Sequence, residues 1–344
     1  MVKAAKEIDS TDVGPMIPKH EPLKKVKPAF KIDLNKLVNT VRASYGKTEQ
    51  SLALQVSTGS SISRPTGDDA FVCWKNSPWA ELTGIPGLPY GRIIQIAGRP
   101  DSGKSTHAMQ FMKAAQDQNV LVILWDTEGK FSSKRFDKNF GGDSSQLITI
   151  SSKMILEGAS EIERVITAAK DQDPDCKILI VWDSVGGSLA KNEGDDHDLL
   201  DGKQMASAAK ENGAVMRATV RLMEKYKNRE TNEDTITMLL INQLYSNIGS
   251  VGSTNAGGQK VEYFSSLILQ LSRKQDLTKV KDGVKRKIGI VTRAKVKKNH
   301  LFDGEDSIAE LDLVITAGGI DLLSKQKVKK ETGFEDDSEV EIAD

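Results

Sequence analysis

From residue 92 onward, short runs of aliphatic and β-branched residues alternate with longer stretches whose apolar positions recur every three or four residues. Residues 92–97, 120–125, 177–182 and 236–241 read as strands, being too short for helices and apolar on both faces. The intervening 106–116, 156–169 and 203–226 read as helices. This alternation predicts an α/β fold with a mainly parallel central sheet covered by helices. Residues 265–273, 287–296 and 309–316 add three strands with no helix between them, extending the sheet by a β-meander. Upstream, Ile32, Leu34, Leu37, Val38 and Val41 give a short amphipathic helix ending at Gly46, and the Ser/Thr/Gly-rich 57–67 reads as a linker. Residues 1–30 show no apolar period and read as a flexible basic arm.

Composition narrows the class. Of 344 residues, 38% are hydrophobic and 28% charged, and the apolar runs fall far short of the roughly 20 residues a membrane helix needs. The first ten residues lack the apolar stretch of a secretory leader, and Cys73 and Cys176 stand alone, without zinc or disulfide spacing. The expected setting is the reducing bacterial cytoplasm, with no membrane partner. Basic and acidic residues balance at 48 each, but unevenly along the chain. Residues 273–298 hold eleven Lys or Arg against two Asp, and residues 331–344 hold seven acids and no base. A basic patch for nucleic acid and an acidic tail fit these counts, as do a solvated strand face and a plain polar terminus.

The chemistry is concentrated at strand ends. Gly98-Arg99-Pro100-Asp101-Ser102-Gly103-Lys104-Ser105 matches GxxxxGK[ST] at every fixed position, between a predicted strand and a helix continuing through Thr106. Such a loop cradles phosphates on its backbone N–H groups; Lys104 would meet the terminal phosphates of ATP and the Ser105 hydroxyl would hold Mg²⁺. A second apolar strand ends in Asp183, placed to hold Mg²⁺ through water, although an acid there can also cap a helix. A third delivers Asp126 and Glu128 to the same edge: Glu128 could serve as general base, or Asp126 could cap the next turn with Glu128 solvated. A fourth ends in Asn242-Gln243, amides able to sense a γ-phosphate, followed by a Gly/Ser-rich stretch, residues 245–259.

Together these runs resemble the RecA family of DNA strand-exchange recombinases. Residues 87–96, GLPYGRIIQI, resemble the run that precedes its P-loop. Asp126-Thr127-Glu128 resembles its DxE, Asp183-Ser184-Val185 its DSV and Ile241-Asn242-Gln243 its INQ. The resemblance implies that Glu128 is the catalytic glutamate and that Gln243 reports nucleotide state to a DNA-binding loop. That loop would comprise Ser246, Asn247, Gly249, Ser250, Gly252, Ser253, Thr254, Asn255, Gly257 and Gly258, with a first loop somewhere in residues 194–210 offering Lys203 and Lys210. Residues 292–300, TRAKVKKNH, look like the strand that reaches a neighbouring subunit's ATP, which makes Lys298 a cross-interface catalytic residue. Residues 37–47, ending in Tyr45-Gly46-Lys47, are similar to the segment that docks on the next subunit.

The family implies ATP and Mg²⁺ as cofactors, single- and double-stranded DNA as partners, helical filaments with ATP at subunit interfaces, and single-strand-binding and loader proteins around them. The expected organisation is a basic arm (1–30), an oligomerisation segment and linker (31–83), a RecA-like ATPase core (84–320) and an acidic tail (321–344). A short C-terminus resembles the compact phage recombinases of the UvsX group. His300 and Glu262 replace expected lysines, and Arg135 falls where an adenine-stacking tyrosine is expected, so Arg135 or the adjacent Phe136 would meet the base. A ring-forming motor of the same ATPase class and a mediator with little turnover are the alternative readings.

Overall fold

The computed structural model describes residues 34–44, 67–191, 202–228, 230–246, 253–255, 257–281, 284–301 and 310–323. The expected basic arm, the expected acidic tail except residues 321–323, and most of the expected linker lie outside them. The chain divides into two compact units, Met1–Ser61 and Ile62–Asp344. In the first, α1 (Leu34–Ser44) is the amphipathic helix read from the sequence, with Leu37 exposed and Val38 partly covered.

The second unit carries β1 (Phe71–Cys73), α2 (Pro78–Thr83), β2 (Gly87–Pro89), β3 (Ile93–Gly98), α3 (Lys104–Gln116), β4 (Leu121–Asp126), α4 (Ser133–Phe140) and β5 (Leu147–Ile150). It continues with α5 (Ile155–Gln172), β6 (Ile178–Asp183), α6 (Gly202–Lys225), β7 (Ile236–Ser246), β8 (Ser253–Asn255), α7 (Gln259–Phe264), β9 (Ser265–Lys281), β10 (Val284–Asn299), β11 (Glu310–Thr316) and β12 (Gly319–Leu322). The main sheet runs β12-β11-β10-β9-β3-β7-β6-β4-β5, with β8 paired to β7. Strands β9, β3, β7, β6, β4 and β5 are mutually parallel, and β10 to β12 are added antiparallel as the expected meander.

Two apolar layers cover the sheet, so its central strands are apolar on both faces. On one side Ile94, Ile96, Val122, Leu179, Val181, Leu239 and Ile241 pack against Ala108, Phe111 and Met112 of α3. On the other, Trp125, Ile180, Trp182, Met238 and Leu240 meet Ile162 and Ile166 of α5 and Val215 and Met216 of α6. Trp125 and Trp182, neighbours in register, stack with centroids 4.0 Å apart. Their indole N–H groups donate to the Ser152 carbonyl and to Ser188 Oγ, so the polar edge of each ring is satisfied. Burying two such rings locks β4 to β6, and these are the two strands that deliver the acids.

Several elements exceed the sequence reading. The packed core includes Phe71, Val72, Trp79 and Leu82, although they precede Gly84, the expected start of the core; Trp79 meets Phe111 edge-on at 4.8 Å. These elements are three to six residues long, too short to display a period. The hairpin of β9 and β10 is also much longer than the expected 265–273 and 287–296. Its outer half is mostly polar, with Leu277 and Val280 out of step with a two-residue period, and therefore shows no regular alternation.

Candidate functional site

Parallel pairing sets the site. In register, Gly98 lies beside Gln243 and Asp126 beside Asp183, so every candidate group emerges at one edge of the sheet. The chain then turns through Arg99 to Gly103 into α3. Gly103 has φ 93°, a backbone conformation that favours glycine, and a Cβ there would also force the Ile315 Cδ1 methyl to move. Asp101 also holds a positive φ of 56°. The loop is tied by Ser102 Oγ donating to the Arg99 carbonyl at 2.8 Å and by Lys104 Nζ donating to the same carbonyl at 2.8 Å. Burial pulls the Lys104 pKa below its ordinary value, while the Asp183 and Glu128 carboxylates pull the other way. A polyphosphate in this loop would replace a neutral carbonyl as the partner of a buried ammonium.

Asp183 sits at the end of β6 with its pKa pushed up to about 6 by burial, opposed by a hydrogen bond from Ser105 and raised further by Glu128 and Asp126. An acid crowded by two others and bonded to the P-loop hydroxyl suits a divalent cation, which would offset the repulsion. Ser105 and Asp183 thus fit Mg²⁺.

Glu128 is neither solvated nor idle. Ser184 Oγ donates to its Oε1, Gln243 Nε2 donates to Oε1 at 2.7 Å, and Lys130 Nζ pairs with Oε2 at 2.6 Å. Burial pushes the carboxyl up, but these donors outweigh it and hold the pKa below the ordinary glutamate value. Asp126 does cap the next turn: its carboxylate accepts from the N–H groups of Gly129 and Phe131 at 2.8 and 2.9 Å. Thr127 and Ser184 lock the two strand ends together, Thr127 Oγ1 donating to the Ser184 carbonyl and accepting from its N–H. Ser184 and Thr127 lay within the DSV and Asp126-Thr127-Glu128 runs without a role of their own in the sequence reading, and Lys130, two residues past Glu128, lay outside every run that was read.

Arg135, on α4, donates from Nη2 to Thr106 Oγ1 at 3.1 Å and stacks its guanidinium over Phe140 at 5.5 Å. Phe136 is fully buried in the core with Gly142 against its ring, so it cannot reach a base, whereas the Arg135 guanidinium lies at the first turn of the P-loop helix.

Residues 78–323 match the RecA N-terminal domain family. The chain belongs to the RecA family. It is 31% identical over 227 residues to Protein RecA of Ureaplasma parvum serovar 3, covering 64% of this chain and 61% of the relative. Against Protein RecA of Sulfurovum sp. the identity is 28% over 227 residues, with 63% and 58% covered, and against that of Aquifex pyrophilus 27% over 311 residues, with 83% of each chain covered. The chain thus spans about three fifths of the length of the first two relatives.

The remaining expected residues of this RecA-family chain fall in two places. Past Gln243, β7 continues to Ser246 and pairs with β8, which contains Ser253, Thr254 and Asn255. Asn247, Gly249, Ser250 and Gly252 lie outside the described residues. Gly257 and Gly258 both have φ 83°, and a Cβ on Gly257 would press on Val185 Cγ1 and Asn212 Nδ2. The far end of the loop is thereby seated on the turn after Asp183 and on α6. The expected first loop is in part helical: Lys203 and Lys210 belong to α6, whose first turns occupy the C-terminal part of 194–210. Lys210 is exposed, and Arg217, seven residues on and also exposed, shares its face, a candidate contact that the two-turn spacing could have flagged.

Lys298 stands apart from the P-loop. Alternation along β3 and β9 turns Ile96 and Leu269 toward α3 and Ala97, Ile268 and Gln270 to the opposite face. There a cavity of about 970 Å³ is lined by Leu244, Lys260, Glu262, Tyr263, Lys297 and Lys298 among others. Lys298 Nζ donates to the carbonyls of Glu262 and Tyr263 at 3.0 and 3.1 Å.

Proposed function

We propose that the chain is an ATP-dependent homologous recombinase that assembles on single-stranded DNA as a helical filament, pairs it with homologous duplex and hydrolyses ATP in response to DNA. One observation carries the reading. The catalytic carboxylate of Glu128 is held by Gln243, which lies on the strand leading directly into the loop assigned to DNA.

The chemistry follows from the residues. Gly98, Arg99, Pro100, Asp101, Ser102, Gly103 and Lys104 would wrap the phosphates; Ser105 and Asp183 would hold Mg²⁺, which when bound would withdraw charge from the phosphates. Thr106 and Arg135 flank the loop on the nucleoside side. A terminal phosphate that draws the Gln243 amide toward itself takes a donor from Glu128, freeing a carboxylate to orient the attacking water and accept its proton. The same movement of Gln243 pulls on β7 and on the segment after Ser246, coupling nucleotide to DNA. Lys298, on the face away from its own P-loop, would serve a phosphate chain held by the neighbouring subunit, so ATP sits at an interface. The segment 31–83 would supply the other half of that contact, the Gly/Ser-rich loop with Lys203 and Lys210 the DNA surface, and single-strand-binding and loader proteins the assembly partners of the filament. A compact phage-type recombinase is the form this reading takes.

The test is ATP turnover with and without single-stranded DNA in the wild type, Lys104→Ala and Glu128→Gln, followed by strand exchange. Strong stimulation lost in both variants is expected. Turnover indifferent to DNA would refute the reading and favour a motor with another substrate.

A further inference from the structure

Each oxygen of the Glu128 carboxylate is already engaged. Oε1 accepts from Ser184 Oγ and Gln243 Nε2, and Oε2 is paired with Lys130 Nζ at 2.6 Å. The stem is held too, because Gly187 packs so near that a Cβ there would come within 2.8 Å of Glu128 Cγ. Burial raises the pKa of this carboxyl, and Lys130 leads the donors that bring it back down. Moving Gln243 away would leave Ser184 on Oε1 and the Lys130 ammonium on Oε2, so the base is not uncovered until Lys130 leaves as well.

Lys130 is mounted to do so. Asp126 commits its carboxylate to the backbone of the turn that carries it, accepting from the N–H groups of Gly129, Lys130 and Phe131 at 2.8, 3.3 and 2.9 Å. Phe131 anchors the far side of this turn against Phe136, with ring centroids 5.9 Å apart. The backbone of Lys130 is thereby fixed, whereas its side chain is 78% exposed and, among the described residues, forms its ion pair with Glu128. Exposed pairs of this kind hold weakly, so a change of partner costs little. The ammonium also lies within electrostatic reach of the phosphate loop. After Glu128, Asp183 and Asp101 add to the rise in its pKa, and Lys104, lowered first by burial, is lowered further by Lys130.

We infer that Lys130 is a catalytic residue acting on the phosphates held by its own chain: with ATP in the loop, its ammonium passes from Glu128 Oε2 to the terminal phosphate. The transfer uncovers the base and places a cation where charge accumulates during reaction. A terminal phosphate carries more charge than a carboxylate and is the stronger partner for an ammonium. ADP lacks that phosphate, so with ADP the lysine stays on Glu128 and the base stays covered. Once it is uncovered, a water oxygen attacks the γ-phosphorus and the water's proton passes to Glu128. The bond from the γ-phosphorus to the bridging oxygen breaks, its electron pair remaining on ADP. The inference deepens the ATPase reading and rests on it.

The experiment is calorimetric titration of the full chain, without DNA, with Mg²⁺ and either ADP or the non-hydrolysable ATP analogue AMP-PNP. The wild type is compared with Lys130→Met, Lys130→Arg, Glu128→Gln and Lys130→Met/Glu128→Gln. Lys130→Met should weaken AMP-PNP about tenfold or more, the size of one charge-assisted contact, and leave ADP within about twofold of the wild type, which also verifies folding. Lys130→Arg should keep most of the preference for the triphosphate. The same loss should recur when Lys130→Met is made in the Glu128→Gln background. Equal losses for the two nucleotides, or no loss for AMP-PNP, would overturn the proposal. So would a loss that vanishes in the Glu128→Gln background, because Lys130 would then only offset the charge of its neighbour. Stimulation of wild-type turnover by DNA tests the recombinase reading separately, since these titrations need no DNA.

Discussion

His107 offers a direct measure of how tightly the P-loop helix is packed. It lies one turn into α3, fully buried, its Nδ1 donating to the Gly103 carbonyl at 3.0 Å and its ring edge-on to Trp74 at 6.0 Å. Burial lowers its pKa to about 4, and the hydrogen bond to Gly103 opposes this only in part. In the unfolded chain the group titrates near its usual value of about 6.5, so between these limits the unfolded state binds a proton that the native state refuses. The associated stability is fully present above pH 6.5 and is lost as pH falls toward 4. A shift of about 2.5 units corresponds to about 3 kcal/mol in all, of which about 2 kcal/mol is lost by pH 5. Urea unfolding of the ligand-free protein followed by tryptophan emission, at pH 8, 6 and 5, should give a steeper loss for the wild type than for His107→Leu. The difference should approach 2 kcal/mol at pH 5, whatever the absolute stability of the variant. Parallel pH profiles would mean that the ring is solvated or charged in the native state, and the account of the helix start would be wrong.

Other expectations rest on single contacts. Glu128→Gln should bind ATP yet lose turnover by about a hundredfold or more, measured by steady-state hydrolysis beside nucleotide binding. Asp183→Asn should abolish turnover and stabilise the ligand-free protein by about 2 kcal/mol at pH 7.5. The sign follows from its raised pKa: the stability of the protonated form is present below about 3.8 and lost as pH rises through about 6, so a neutral amide escapes the penalty. Lys170→Met should cost about 3 kcal/mol in urea unfolding, because buried Lys170 Nζ donates to the carbonyls of Pro174 and Cys176 and to Thr235 Oγ1, and all three would lose their donor. Gly103→Ala should abolish nucleotide binding through backbone strain and overlap with Ile315, visible as loss of binding in a chain that still folds.

How much was legible in the sequence depends on how far each signal is local. The P-loop and the four central strands could be read because a strand buried on both faces writes itself as an unbroken apolar run, and because phosphate binding fixes glycines and a lysine at set spacing. The acids at strand ends followed from parallel pairing, which brings every such end to one edge. What could not be read is which groups meet across the sheet. That Asp126 caps the next turn is a local contact, but that Glu128 is not solvated depends on partners 56 and 115 residues away, at Ser184 and Gln243. Phe136 failed as a base-stacking candidate for the same reason, since its burial depends on Gly142 folding back over its ring.

The basic stretch makes the point in reverse. By count it is one patch of eleven cations, and the sequence left it undecided between a DNA surface and a solvated strand face. Register decides differently for different residues: Asp312 and Glu310 on β11 neutralise Arg293, Lys295 and Lys274, Asp276 on β9 takes Arg273 and Lys287, and Lys285 and Arg286, past the end of β11, make no ion pair with a described residue. A sum of charges along a segment therefore overestimates its attraction for a polyanion wherever a neighbouring strand supplies acids in register. Only the unmatched remainder contributes to binding. On this argument the cations that meet no acid in register, such as Lys285 and Arg286, carry the charge left available to a polyanion. Substitutions in the neutralised middle should instead act through stability.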